Sequence, residues 1–332
     1  MYNGWEVTAL EDLGIVRMRG PDAVRFLQGQ LSNDVARLTA ERSLLAGYHN
    51  PQGRTIALLR LVQWAPDDIL AVTARELAAS VASRLAKFVL RAKVKIVAES
   101  EHWRISGLIG SAQAEPRAVA LPSAPHAQAQ LDGSVFVRIA DAAARWLAVC
   151  PADSVAPLPA PGTGRDRAAI DEPPAWVAGD PQRWRRLDVA AGQPQVYAAT
   201  SGQFVAQMLN LDLLEAIAFD KGCYTGQEVI ARAHYRGRVK RRMQRFVSRE
   251  ACRLQPGDAG QLADGRSFKV VLAAQLADGR CDFLAVTARV ADEGEPTEAA
   301  RELPATPAAP DTASSQPTLL ADQAALPYSL PE

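Results

Sequence analysis

The segment KGCYTGQEVIAR, residues 221–232, decides how this chain is read, because it sets a lone thiol in a glycine-bracketed turn ahead of a helical pattern. Thr225 and Glu228 have the spacing of a capping box, which predicts a helix from near Thr225. Val229, Ile230 and Ala233 give that helix an apolar side, and Gly237 after Arg236 suits a left-handed stop. Cys223 then lies beside unsatisfied first-turn amides, where the helix dipole and Lys221 together favour a thiolate or a bound anion. The plainer alternative is a small buried hydrophobe whose glycines serve only the turn. Against it stands the polar company of Gln227 and Glu228, more than packing needs.

Outward from this segment, the pattern is mixed. Residues 14–19 alternate like a strand, and Gly20-Pro21-Asp22 opens a helix carrying Val24, Phe26, Leu27 and Leu31. Two apolar runs, 43–49 and 54–64, flank Asn50-Pro51-Gln52-Gly53, which predicts an antiparallel hairpin. A strand near 69–73 leads into an amphipathic helix marked by Leu77, Val81, Leu85 and Phe88, and then a strand at 93–97. Strand-like patches at 103–109 and 135–139 suggest a second α+β unit. Residues 151–174 read as a long surface connection, and a strand is expected over 184–189, with Leu187 and Val189 opposite Asp188 and Ala190. Short β-like runs at 268–276 and 281–290 flank Asp278-Gly279, the mark of a small β domain. Residues 292–317 are rich in Glu, Ala, Pro, Thr and Ser and are expected to be flexible. The closing LPYSLPE is apolar again and is expected to dock on the body. The domain reading is 1–100 and 101–245 for two α+β lobes and 246–332 for the β domain.

The chain has 332 residues, enough for two or three domains, and its 37 basic and 37 acidic side chains cancel. No global attraction to nucleic acid or membrane follows. The start MYNGWEVTALEDLG has no export signal, and no run of eighteen apolar residues occurs, so a soluble, cytoplasmic protein is expected. Cys150, Cys223, Cys252 and Cys281 are widely spaced without CxxC pairs, so neither a zinc site nor a complete cluster site is expected. Seven Lys or Arg residues fall within 232–245, beside His234 and Tyr235. They form a local positive field suited to a polyanion, although a solvated face paired with scattered acids is the simpler reading and direct tRNA binding is not favoured. Trp184 is either core or a flat platform for a planar heterocycle, and Asp188 either orients such a ring or is merely exposed.

As a set these residues resemble the YgfZ-type folate-binding proteins, relatives of the glycine cleavage T-protein, or aminomethyltransferase, fold. The resemblance is carried by KGCYTGQEVIAR, by FLQGQLSNDV at 26–35, FVLRAKVKI at 88–96, QMLNLDLLEAIAFDKGCYTGQE at 207–228 and LPYSL at 326–330, with 292–317 as an insertion. It implies an α+β fold in which two lobes surround a central channel beside a C-terminal β-barrel. It implies tetrahydrofolate as cofactor, with Trp184 and Leu13 at family positions lining its site and Gly222, Tyr224, Gly226, Gln227, Glu228 and Arg232 in the signature loop, within which Cys223 and Lys221 are the candidate reactive residues. It further implies a role in iron-sulfur protein assembly or repair, and through it in tRNA modification, with iron-sulfur client or carrier proteins as partners.

Two departures refine the expectation. T-proteins that transfer the aminomethyl carbon carry acidic residues after the hairpin turn NPQGRTIALLRL, where this chain has Ala57 and Leu58. Without a carboxylate to steer protons or stabilise an iminium, an ordinary aminomethyltransferase is not expected. Relatives also commonly place a glutamate before Ala191-Gly192, where Ala190 stands, so Asp188 on the same face is the expected substitute. The alternative function is a folate-dependent one-carbon transferase with an unknown acceptor.

Overall fold

The computed structural model describes residues 5–110, 121–154, 176–237, 239–289 and 318–331. The hairpin forms as expected: β3 (Leu44–His49) and β4 (Thr55–Ala65) pair antiparallel across a turn in which Asn50 Oδ1 accepts from the Arg54 amide and Gly53 takes φ +70°. With β5 (Asp68–Ala74), β2 (Leu13–Arg19) and β6 (Lys95–Ala98) they make a five-stranded antiparallel sheet in the order β3-β4-β5-β2-β6. One face is covered by α2 (Arg75–Ala86), whose Leu77, Val81 and Leu85 are buried at helical spacing. Phe88 departs from the expected stripe, because the helix has ended before it and its ring is 53% exposed.

The other face packs on a second sheet in the order β11-β1-β7-β10-β9-β8, composed of β1 (Trp5–Ala9), β7 (Trp103–Gly110), β8 (Gln128–Leu131), β9 (Ser134–Arg138), β10 (Arg145–Pro151) and β11 (Trp176–Ala178). Strand alternation divides β10 between two cores. Leu147 and Val149 meet Ile15, Leu70 and Val72 of the first sheet, while Trp146 and Ala148 join Trp5 and Phe136 on the far side. A third sheet, in the order β16-β13-β14-β15-β12-β17, contains β12 (Arg241–Ser248), β13 (Ala259–Leu262), β14 (Ser267–Gln275), β15 (Cys281–Ala288), β16 (Thr318–Leu319) and β17 (Ala321–Ala324). The run from Thr318 to Ala324 pairs with both edges, β13 and β12, and so nearly closes the sheet into a barrel around Phe246, Phe268 and Phe283. The expected α+β class, with two lobes and a C-terminal barrel, is thus the observed one. Among the described residues no helix is long and apolar enough to cross a membrane.

Four local expectations need correction. The strand expected over 184–189 is helical: α3 runs Pro181–Ala190, because Asp180 accepts from the Gln182 amide as N-cap and Pro181 sits pre-shaped in the first turn. The helix after Gly20-Pro21-Asp22 is a short α1 (Ala23–Gln28), which ends before Leu31. The signature helix, α4 (Gln227–Tyr235), begins without a capping box, and Gly237 is not left-handed. The connection at 155–174 and the segment 292–317 lie outside the described residues. The closing segment does dock, since the Tyr328 hydroxyl donates to the Gly192 carbonyl at 2.8 Å.

Gly226 takes φ +83° at the start of α4, and a Cβ there would lie 2.5 Å from the Asn50 carbonyl of the hairpin turn. Gly133 has φ +74° with nothing within 4 Å. Gly133→Ala should therefore lose only about 1–2 kcal/mol, the left-handed penalty, whereas Gly226→Ala should lose clearly more by adding a backbone clash. Urea unfolding of both variants checks this, and equal losses would contradict the docking.

Candidate functional site

The two lobes and the barrel meet around a cleft whose walls include Leu13 of β2, Leu58 and Arg60 of β4, Trp184 and Asp188 of α3, Tyr197, and Leu272 of β14. It encloses about 850 Å³ of empty space, counting its open mouth. Leu13, Trp184 and Asp188 are the residues expected to hold a planar heterocycle, and all three line this cleft, although Trp184 is also a core residue, only 6% exposed. Trp184 is held by close packing: a Cβ on Gly107 of β7 would lie 2.3 Å from the indole. The Arg145 guanidinium stacks on the same ring at 4.5 Å from its centroid.

The polar groups of the cleft are largely committed to one another. Arg145 is fully buried, ion-paired to Asp141 and, at 2.7 Å, to Asp188. Burial raises the Asp188 carboxyl above its usual range, against the pull of Arg145. A quarter of its side chain remains exposed to the cleft. Arg185 and the Tyr197 hydroxyl both donate to Asp12 at 3.0 Å. Arg60 differs: it is 7% exposed, donates to His126 Nδ1 at 3.2 Å, and has no carboxylate at ion-pairing distance among the described residues. Burial lowers its pKa to about 10, so it stays charged at neutral pH, while burial drops His126 to about 3 and keeps that ring a neutral acceptor.

The signature loop lies elsewhere. Lys221 Nζ donates to the carbonyls of Leu31 and Asn33 at 2.8 and 2.6 Å, and sits 5.2 Å from the centroid of the Tyr224 ring. These bonds tie the loop to the FLQGQLSNDV segment. Tyr224 is buried, and its amide donates to Gln227 Oε1 at 3.3 Å. Gln227, not Glu228, therefore reaches back over the helix start. Gly222, Glu228 and Arg232 are exposed, and no neighbour within 4 Å requires glycine at 222. Cys223 is exposed and free. Neither Cys223 nor Lys221 lines the first cleft. A second cleft opens on this side, bordered by Asn33, Arg42, His126, Asp220 and the stacked rings of Phe219 and His234. Leu45 belongs to both clefts, and the Arg60 to His126 hydrogen bond crosses the wall between them. Asp220 is three residues from Cys223, so their Cα atoms are within roughly 11 Å of each other.

The basic stretch largely follows the simpler reading. Arg242 is paired with Asp212 and Arg245 with Asp282, Arg241 donates to the Ser267 carbonyl, and Arg232, Arg236 and Lys240 are exposed. Sequence reasoning missed Asp12, Arg60, His126, Arg145 and Tyr197. Arg60 had a legible signal, a charge inside an apolar run that reads as a buried strand. For Arg145 only the pairing with Asp141, four residues earlier, is local, whereas Asp188 and Trp184 come from α3.

No family model matches the chain. It is 34% identical over 273 residues to the tRNA-modifying protein YgfZ of Pectobacterium carotovorum, covering 80% of this chain and 78% of that one. It is 34% identical over 239 residues to the tRNA-modifying protein YgfZ of Serratia proteamaculans, covering 70% and 68%. Among solved structures, the glycine cleavage system aminomethyltransferase T from Bartonella henselae is similar in fold, with a TM-score of 0.62 at 15% identity over 86% of this chain and 79% of that one.

Burial lowers the Lys221 pKa from 10.5 to about 8. The unfolded chain then binds more protons than the folded one between these values, so this group makes stability rise with pH across that window. Wild type should gain stability relative to Lys221→Met from pH 8 to 10.5 in urea unfolding, and parallel profiles would contradict a buried amine.

Proposed function

The chain belongs to the YgfZ family, and we propose on that premise that it is a folate-binding factor supporting assembly or repair of iron-sulfur proteins, and thereby tRNA modification. The observation that carries this reading is the convergence of Leu13, Trp184 and Asp188 on one cleft. An indole fixed from behind by Arg145, apolar walls from Leu10, Leu58 and Ile139, and a few convergent polar groups make a site of the kind that takes a flat, edge-polar ring. A tetrahydrofolate fits that donor and acceptor set: Trp184 would stack on the pterin, Leu13 would pack beside it, and the exposed part of Asp188 would accept from its N–H groups. When bound, the folate would supply a carrier for one-carbon units.

Cys223 is the proposed reactive or ligating group, acting on a partner from outside the cleft. It is exposed on a loop anchored through Lys221 and Tyr224, so it can meet a thiol, sulfur or cluster of an iron-sulfur client or carrier protein. One thiolate supplies one ligand or one attack, and a cluster needs the partner's ligands as well. Lys221 acts here as a positioning residue, because its ammonium is already bonded to two carbonyls. The alternative, a one-carbon transferase of the aminomethyl kind, is disfavoured by the apolar Leu58 in the cleft wall and the buried Ala57 beside it.

Titration of purified protein with tetrahydrofolate under anaerobic conditions tests the cleft. Trp184→Ala is expected to weaken binding at least tenfold and Asp188→Asn by about tenfold, the scale of losing a stacking platform or a charge-assisted hydrogen bond. Unchanged affinities would remove folate from this cleft. Cys223→Ser should bind folate like wild type yet fail to restore iron-sulfur enzyme activity in deletion cells under oxidative stress, and full restoration would remove the thiol from the mechanism.

A further inference from the structure

Strand β4 presents to the first cleft a leucine and a guanidinium on the same face, Leu58 and Arg60, two residues apart. The flanking Leu59, Leu61 and Val62 are buried core residues, so a charge at position 60 breaks the pattern of the strand. The other cations around the cleft are neutralised, Arg185 by Asp12 and Arg145 by Asp141 and Asp188. Arg60 is not. It is more than nine-tenths buried, its Nη1 is taken up by a neutral imidazole, and it has no carboxylate partner among the described residues.

Its orientation is fixed from behind. His126 holds a left-handed φ of +61°, its amide donates to the Arg138 carbonyl at 3.0 Å, and its carbonyl accepts from both the amide and the hydroxyl of Ser43 at 2.9 Å. A strained, well-anchored backbone at a buried histidine is the kind of feature that marks a functional position. A guanidinium carries five N–H donors, and the imidazole uses one. The rest of the fork is an incomplete donor set in a low-dielectric wall, which disfavours a cationic group beside it and favours an acceptor oxygen.

We propose that Arg60 is a specificity residue that makes this cleft prefer folates whose one-carbon unit is a carbonyl, as in a formyl group, over those carrying a saturated or cationic one-carbon unit. The inference rests on the folate reading of the cleft. The formyl oxygen supplies the acceptor that the wall lacks, and a methyl group of similar size does not. An iminium would be repelled by the same charge.

Calorimetric titration of the full chain with 5-formyl- and 5-methyl-tetrahydrofolate tests this. Wild type is expected to bind the formyl compound about tenfold more tightly, the yield of one charge-assisted hydrogen bond. Arg60→Met should bring the ratio close to one by weakening the formyl compound, and Arg60→Lys, which keeps the charge without the fork, should retain part of it. Thermal unfolding of each variant establishes that the compared proteins are folded. An equal preference in wild type, a ratio unchanged in Arg60→Met, or an equal loss for both compounds, which would place Arg60 on a part common to all folates, overturns the assignment to the one-carbon unit alone. Failure of wild type to bind either compound overturns the folate reading, and this inference with it.

Discussion

A buried arginine organises the cleft. Arg145 opens β10 with no solvent exposure, and its guanidinium is shared among Asp141, Asp188 and the face of Trp184. Removing such a charge from water is expensive, and the expense is recovered only if its partners stay in place. The cation therefore locks α3 against the second sheet, fixing where Trp184 and Asp188 can stand. Gly107 completes the arrangement by leaving room for the indole on β7. The helix also reaches the barrel, where Arg186 donates to the Gln275 carbonyl at 3.2 Å, so all three sheets are positioned around one cleft.

The signature segment has a different place in this economy of contacts. Gly226 lies against the hairpin turn, Lys221 bonds the carbonyls of the 26–35 segment, and the buried Gln207 side chain donates to the Ile230 carbonyl at 2.7 Å. Asn210, left-handed at φ +56°, donates to the Met243 carbonyl at the start of the barrel and to the hydroxyl of Tyr328 in the closing segment. Four of the quoted motifs, at 26–35, 50–53, 207–228 and 326–330, are thus members of one packed assembly. Lys221, Gly226, Gln207 and Asn210 are explained by these anchoring contacts. Cys223 is left exposed on this loop, outside the cleft that Arg60 lines.

The fold was legible where local chemistry spoke for itself. The turn residues Asn50 to Gly53 and Asp278-Gly279 specify hairpins by their backbone needs, and Leu77, Val81 and Leu85 mark a buried helical face. The strand read over 184–189 failed because apolar residues two apart fit either period over six positions, while Asp180-Pro181, the stronger signal for a helix start, lay outside that window. The capping box failed because tertiary docking of Gly226 on the hairpin turn set the helix start, and no side-chain spacing records that contact. Leu13, Trp184 and Asp188 came from resemblance and local chemistry, but their convergence is a tertiary fact. The Arg145 cluster joins the second sheet to α3, and of its ion pairs only that with Asp141, four residues earlier, is local in sequence.

The central claim is that the cleft over Trp184 is the folate site and that Cys223 acts outside it. A crystal structure of the chain grown with tetrahydrofolate tests both at once. The account predicts a pterin stacked on the indole of Trp184 at van der Waals distance, about 3.5–4 Å, with its edge toward Asp188 and Cys223 still open to solvent. A folate bound against the signature loop, or a cleft over Trp184 left without it at saturating ligand, would contradict the account.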